Sequence, residues 1–181
     1  SSGFAKATLS QASKKTIKQN LADQSAKEQQ AVVLINQGRL HEAQIIYEEL
    51  INAGTNNPFV YGNLAAICGM QGKNDELIQI LKKALEIKPN HPDIHNILGV
   101  ALKEQGDLNA SIDSYNKALQ LKPSHPEAHY NLGSALQKQG DLSAAINSYR
   151  RALEVKPDHP RTYNNLGLAL KEKGDVTAAI A

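Results

Sequence analysis

Apolar side chains recur at helical spacing on two consecutive segments of residues 126–159. Gly140 separates the segments, and Pro157 closes the second one. Glycine suits the left-handed residue that ends a helix, and proline cannot continue a helix because its ring clashes with the preceding turn. The pattern therefore predicts a helical hairpin. The recurring apolar positions are Leu132, Leu136, Ile146, Tyr149, Ala152 and Leu153.

The same pattern repeats along the chain with a period of 34 residues. Five glycines mark it, and the seven prolines keep it in two phases. A fixed period of this length indicates an array of helical hairpins. The glycines are Gly38, Gly72, Gly106, Gly140 and Gly174. The predicted organisation is a basic N-terminal segment at 1–23, an irregular first repeat at 24–57, full repeats at 58–91, 92–125 and 126–159, and a partial repeat at 160–181.

Other positions of the hairpin have predicted structural roles. Asp141 follows the glycine turn, where a carboxylate suits the N-terminus of the next helix. Gly133 and Ala145 are expected to let the two helices approach closely, because larger side chains would force the backbones apart. Cys68 has apolar periodic neighbours and is expected to be buried and inert.

Composition narrows the classes of function. Hydrophobic residues make up 41% and charged residues 21% of the 181 residues, the usual mixture of a folded protein. A net charge of +2 and an aromatic content of 4% give no nucleic-acid footprint, and no apolar run reaches the roughly 18 residues of a membrane span. One cysteine permits neither an internal disulfide nor a cysteine-based zinc site. We expect a cytoplasmic protein with no nucleic-acid or membrane partner, no cofactor and no catalytic residue in this chain.

In register, the repeats resemble the tetratricopeptide repeat family. Its order of leucine, glycine, alanine, tyrosine, alanine and proline is met by Leu132, Gly133, Ala145, Tyr149, Ala152 and Pro157. The preceding repeat supplies Leu98, Gly99, Ser111, Tyr115, Ala118 and Pro123. The resemblance covers residues 24–181. It implies an all-α fold, a right-handed superhelical solenoid of antiparallel helix-turn-helix hairpins.

Two repeats depart from the family pattern. The first is irregular at Lys27, Gln30, Leu50 and Thr55. In the second, Ala65 stands in the glycine place and Leu77 in a small-residue place. We therefore expect helices in residues 58–91 that meet at an altered angle and pack less ideally.

The resemblance also implies a concave face, built mainly from the first helix of each repeat, as the binding surface. The residues expected to line it are Asn63, Asn96, Lys103, Tyr130, Asn131, Gln137, Lys138, Asn164, Asn165 and Lys171. Asparagine donates and accepts hydrogen bonds at once, so a row of asparagines can hold a peptide backbone. Asn63, Asn131 and Asn165 share one phase and resemble the asparagine ladder of O-linked N-acetylglucosamine transferase arms, with Ile97 interrupting it.

Two hypotheses of function follow. The first is an interaction scaffold that binds an extended peptide or a partner protein on the concave face. The alternative is the substrate-recognition arm of a larger glycosyl-, sulfo- or methyltransferase, whose catalytic domain would lie beyond residue 181. A clamp for chaperone C-termini is disfavoured, because Asp93 and Glu127 would repel a carboxylate. The face could equally be ordinary solvated surface.

Paired histidines four residues apart, His91 with His95 and His125 with His129, could suggest a metal site. No further phased ligand completes such a site, so no metal is expected. The histidines are instead interpreted as junction residues, with His95 and His129 in the packing place that Tyr61 and Tyr163 hold elsewhere. The residues expected to cap the following helices are Asn90, Ser124 and Asp158, with Ser124 to Glu127 as a capping box.

The two ends of the chain carry expectations of their own. Residues 1–23 show weak helical periodicity through Leu9, Ala12, Ile17 and Leu21, and we expect them to cap the array or to lengthen its first helix. The last residues stop partway through a helix, which suggests a fragment of a longer protein. Val176, Ala179 and Ile180 would then be exposed, and we expect self-association through this end.

Overall fold

The computed structural model describes residues 11–174, and every regular element in that range is an α-helix. The chain forms two compact units, residues 1–55 and 56–181. The helices of the first unit are α1 (Gln11–Asn36) and α2 (Leu40–Asn52). Those of the second are α3 (Pro58–Gln71), α4 (Asn74–Ile87), α5 (Pro92–Gln105), α6 (Leu108–Leu121), α7 (Pro126–Gln139), α8 (Leu142–Val155) and α9 (Pro160–Lys173). None of the described helices is long and apolar enough to cross a membrane.

The first unit is a single hairpin with an extended opening helix. Residues 11–23 are continuous with the rest of α1, and Leu9 lies outside the described residues. Ile17 and Leu21 are exposed, so the weak periodicity of this segment does not mark a buried face. The core of the unit lies further along, where Ala31 and Tyr47 are buried.

The second unit is built from consecutive hairpins, α3 with α4, α5 with α6 and α7 with α8, followed by α9. The predicted glycine turns are present: each first helix ends at a glycine with a positive φ, as Gly140 does at 94°. The predicted carboxylate caps are present as well. Asp107 and Asp141 hold the N-cap positions of α6 and α8 and accept hydrogen bonds at 3.0 Å from the amides of Ala110 and Ala144, whereas Lys73 before α4 makes no such bond.

A tyrosine ring packed on a glycine closes each regular hairpin. A Cβ added to Gly133 would come within 2.7 Å of the Tyr149 ring, and one on Gly99 within 2.5 Å of the Tyr115 ring. The small residue therefore makes room for a ring rather than for a bare helix backbone. In the second repeat, where Ala65 replaces that glycine, the backbones of α3 and α4 approach less closely than those of α5 and α6.

The junction histidines correct the sequence prediction. The N-cap positions of α5, α7 and α9 are held by His91, His125 and His159, of which only His125 makes a side-chain cap hydrogen bond. The predicted caps Asn90, Ser124 and Asp158 lie one residue too early. The reason is the proline that follows each histidine. Proline is the first residue of each of these helices, which makes the residue before it the cap. The capping box predicted from Ser124 to Glu127 is therefore wrong.

His125 joins two consecutive repeats. Its side chain is 5% exposed, its Nδ1 accepts a hydrogen bond from the Ala128 amide of α7 at 3.4 Å, and its Nε2 lies 3.2 Å from Oδ1 of Asp93 on α5. His95 and His129 are partly buried, and their Nε2 atoms lie 2.8 and 2.9 Å from the carbonyl oxygens of Pro89 and Pro123. These histidines serve hydrogen bonding at the junctions. Within residues 14–174 no three His, Cys, Asp or Glu side chains are grouped to hold a metal.

Candidate functional site: the first-helix face

The opening helices of successive repeats lie side by side in the second unit. α3 contacts α5, α5 contacts α7, and α7 contacts α9, whereas the second helices approach one another less. We call the surface formed by α3, α5, α7 and α9 the first-helix face. It corresponds to the concave face that the family resemblance implies.

All ten predicted site residues lie on the four helices of the first-helix face, with differing exposure. The partly buried ones are Asn63, Asn96, Lys103, Tyr130, Asn131, Gln137 and Asn165. The exposed ones are Lys138, Asn164 and Lys171.

Side-chain hydrogen bonds connect the asparagines of one first helix to the next helix. Nδ2 of Asn131 donates to Oδ1 of Asn96 at 3.0 Å, and Nδ2 of Asn165 donates to the hydroxyl of Tyr130 at 3.3 Å. Each bond spans 35 residues, one more than the repeat period. Asn131 and Asn165 occupy the same position of successive repeats. Each bonds to the residue that lies one position before its counterpart in the previous repeat. Asn96 thereby gives Asn131 a partner next to the position where Ile97 interrupts the ladder.

Gln137 links the face to the hairpin core. Its Oε1 accepts a hydrogen bond from the Tyr149 hydroxyl at 3.0 Å, and its Nε2 donates to Oε2 of Glu172 at 3.1 Å. Burial raises the pKa of Tyr149 to about 12, although hydrogen bonds from Asn165 and Ser134 act in the opposite direction. One tyrosine therefore fills the core with its ring and contributes its hydroxyl to the face. The sequence prediction missed Glu172 and Ser134.

Lys103 and Lys138 lie on neighbouring helices of the face. Nζ of Lys103 donates to Oγ of Ser134 on α7 at 3.3 Å. Burial lowers the pKa of the Lys103 ammonium, the adjacent carboxylate of Glu104 raises it, and the positive charge of Lys138 lowers it, with a net shift downward. Among the described residues, neither lysine forms an ion pair.

An apolar cleft of about 300 Å³ lies between α3, α4 and α5. Its walls include Ala66, Gly69, Met70, Ile97, Val100 and Glu104. Met70 is 65% exposed, and the carboxylate of Glu104 accepts a hydrogen bond from Asn74 at 3.1 Å. The sequence prediction missed this cleft. The sequence does contain a sign of the cleft: Met70 is apolar, whereas the equivalent position of the later repeats is charged, as Glu104, Lys138 and Glu172.

The arrangement favours binding over chemistry. Cys68 is fully buried, as predicted from its apolar neighbours, and buried thiols are poor nucleophiles. The described part of the face offers amides, lysines and an apolar cleft, which together suit an extended polar ligand with an apolar anchor.

Comparison with known proteins settles the family. A family model described as TPR repeat matches residues 70–106, 99–140 and 135–174, which together span more than half of the chain. The chain belongs to the tetratricopeptide repeat family. The predicted all-α fold of helix-turn-helix hairpins is thereby confirmed. A comparison with curated protein sequences finds no match.

Solved tetratricopeptide repeat structures superpose on much of the chain. A crystal structure of MamA is 26% identical, with a TM-score of 0.70 over 83% of this chain and 88% of that one. A MamA fragment from Desulfovibrio magneticus RS-1 is 18% identical, with a TM-score of 0.70 over 87% of this chain and 89% of that one. YrrB, described as a TPR protein with an unusual peptide-binding site, is 20% identical, with a TM-score of 0.63 over 92% and 86%. The latter two likenesses concern the fold alone.

Proposed function

We propose that this chain is a protein-interaction module that holds an extended peptide segment of a partner protein on the first-helix face. The observation that carries the proposal is the polar network that runs from helix to helix along this face. Asn131 bonds to Asn96, and Asn165 bonds to Tyr130, between helices of successive repeats. A ligand that lies across these helices would meet groups already held in place.

The network keeps hydrogen-bonding capacity for a ligand. An asparagine side chain offers two donors and an acceptor with two lone pairs, and each of these hydrogen bonds uses one donor and one acceptor site. Because the amides are already ordered, a peptide backbone would bind without the full entropic cost of fixing them. Exposed Asn164 and Lys171 would extend the track along α9.

The apolar cleft gives the same face an anchor point. Interface affinity is concentrated in a few side chains that fill well-packed pockets. The cleft between α3, α4 and α5 is open and lined largely by small and aliphatic residues, so it would accept one aliphatic side chain of the peptide. The peptide-binding site ascribed to YrrB, a protein of the same fold, supports this mode of binding.

Paired asparagine variants test the proposal. Peptides selected from a random displayed library on the unmodified protein would be assayed against N131A/N165A and against a matched control, N116A/N147A, which changes two exposed asparagines on α6 and α8. We expect the first pair to bind at least about tenfold more weakly, with an unchanged helical signal, and the control to bind normally. Equal binding by both pairs would refute the proposal.

The alternative role, a substrate-recognition arm of a larger transferase, would use the same face. The peptide would then be the substrate of an attached catalytic domain. Sequence adjoining the present 181 residues in the full-length protein distinguishes the two, because a transferase domain there would favour the arm. No described contact favours it over a binding scaffold.

A further inference from the structure

Two equivalent tyrosines of the second unit have different surroundings. The Tyr149 hydroxyl donates to Gln137, whereas the Tyr115 hydroxyl, in the preceding repeat, is buried and has no hydrogen-bond partner among the described residues. A buried hydroxyl without a partner costs stability, and native proteins leave few of them. The hydroxyl of Tyr115 therefore lowers the stability of its repeat instead of adding to it.

Two substitutions explain the difference, and both lie 34 residues before the polar residues that surround Tyr149. Lys103 occupies the place of Gln137, and Val100 occupies the place of Ser134. A lysine ammonium cannot accept a hydrogen bond, and a valine offers no polar atom. The Tyr115 hydroxyl thus loses the acceptor that its counterpart has, and Lys103 directs its ammonium to Ser134 on the next helix at 3.3 Å instead.

Lys103 is itself costly for the fold. It is partly buried, it has a hydroxyl rather than a carboxylate as its partner, and it lies within the field of a second cation, Lys138. The neighbouring carboxylate of Glu104 attracts the Lys103 ammonium, but its hydrogen bond comes from Asn74 rather than from the lysine. The face between α5 and α7 therefore presents two ammonium groups and a hydroxyl, and among the described residues neither ammonium has a carboxylate at ion-pair distance.

We propose that Lys103, Ser134 and Lys138 form a carboxylate-binding subsite that takes an aspartate or glutamate side chain of the bound peptide. The inference rests on the proposed peptide-binding function and specifies its ligand. A carboxylate would give the two ammonium groups an ion-pair partner, and charge-assisted hydrogen bonds are the stronger class. Serine is a suitable third ligand because its hydroxyl can donate to the oxyanion while accepting from Lys103.

The apolar cleft fixes where this acidic residue stands in the peptide. α5 contributes Val100 and Glu104 to the cleft on one flank and Lys103 to the subsite on the other. Packed helices lie about 8–10 Å apart and an extended chain advances about 3.3 Å per residue, so the two subsites are about three residues apart. The expected ligand carries an aliphatic side chain and an acidic one at that spacing.

Library selection tests the composition of the ligand. Random peptides displayed on phage would be selected in parallel on the unmodified protein, on K103Q/K138Q and on the matched control K82Q/K83Q, which removes the same charge from the exposed surface of α4. We expect aspartate or glutamate to be enriched about three residues from an aliphatic residue on the unmodified protein and on the control. The enrichment should vanish on K103Q/K138Q.

Synthetic peptides then give the magnitude. A selected peptide and its isosteric amide counterpart, with Asn for Asp or Gln for Glu, would be titrated calorimetrically, and the amide should bind about tenfold or more weakly to the unmodified protein only. Acidic enrichment that is absent, or that survives in K103Q/K138Q, would overturn the subsite and leave peptide binding intact. Failure to select any peptide would overturn both proposals.

The thermal stability of K103Q separates a binding role from a structural one. Glutamine at position 103 would give Tyr115 the acceptor that Gln137 gives Tyr149, and it would remove the partly buried cation. We expect the midpoint of thermal unfolding to rise by about 2–4 °C while acidic-peptide binding falls. A lower midpoint would show that Lys103 stabilises the fold and would contradict the proposal.

Discussion

The ring of Tyr149 lies directly against the backbone of Gly133, and a Cβ at that glycine would come within 2.7 Å of two ring carbons. The same tyrosine donates its hydroxyl to Gln137 on the first-helix face. The glycine therefore sets the depth at which the ring enters the hairpin and, with it, the position of the hydroxyl. Hairpin packing and the geometry of the face are joined through this residue pair.

The Gly133→Ala variant should be destabilised although alanine is the better helix former. The added methyl overlaps a ring that has no room to withdraw, and overpacking of this kind costs about 1–3 kcal/mol. Urea denaturation followed by circular dichroism measures the change. Gly62→Ala is the control: no described atom lies within 4 Å of its Cβ position, and it should gain about 0.5–1 kcal/mol. Equal effects of the two substitutions would contradict the packing account.

Stability should fall at alkaline pH because buried tyrosines resist ionisation. Burial raises the pKa of Tyr149 to about 12 and also raises the pKa of Tyr115 and Tyr61. In the unfolded chain tyrosine ionises at about pH 10. The stability that comes from burying the neutral ring is therefore complete below that pH and is lost as the pH rises through the pKa of the folded state. Each such tyrosine lowers the unfolding free energy by up to about 1.4 kcal/mol per pH unit in this window.

Denaturation at about pH 8 and about pH 11, with tyrosinate absorbance recorded in parallel, measures this dependence. Tyr149→Phe should weaken it, whereas Tyr163→Phe, at a side chain 56% exposed, should leave it unchanged. Burial implies that the buried tyrosines ionise only as the protein unfolds. Ionisation of all tyrosines before any loss of helical signal would contradict the prediction.

Replacing His125 by alanine should cost about 1–2 kcal/mol. The variant loses the hydrogen bond that caps α7 at Ala128 and the contact with Asp93 on α5. His125→Asn should recover part of the loss, because asparagine can restore the cap but is too short for Asp93. His41→Ala, at an exposed side chain, serves as the control in the same denaturation assay. A neutral His125→Ala would mean that the junction is held by apolar packing alone.

The thiol of Cys68 should react with a disulfide reagent only when the protein opens. The side chain is fully buried, so the reagent has no access in the folded state. Reaction rates followed across a denaturant series should track the unfolding of the second unit. Rapid reaction in the absence of denaturant would contradict the packing around α3.

The sequence predicted the hairpins well because each depends on residues close together in the chain. Gly140 adopts the left-handed conformation that ends α7, and Asp141 caps α8, so both residues have the roles that were predicted from their types. The helix caps were wrong by one residue, although the proline at the first position of each helix was visible and fixes the cap at the histidine before it. A stronger local pattern, the apparent capping box at Ser124, pointed elsewhere.

The face was less predictable because its contacts depend on how repeats stack. The placement of Asn131 on a first helix follows from the period, but its hydrogen bond to Asn96 depends on the offset between two helices. The same holds for Lys103, whose partner Ser134 is 31 residues away. The expectation of self-association through Val176, Ala179 and Ile180 lies outside the described residues and stays a prediction.

Two kinds of contact hold the second unit together, and we expect them to yield at different forces. Within a hairpin, a ring is wedged on a glycine with no slack. Across the face, the connections that carry the ladder are single hydrogen bonds such as those of Asn131 and Asn165. A pulling force or a bulky ligand should therefore break the polar bonds of the face before it disturbs the apolar packing, which continues between repeats where Tyr149 of α8 packs with Leu170 of α9. The row of polar side chains would then yield first, while the apolar clusters behind it keep the repeats joined.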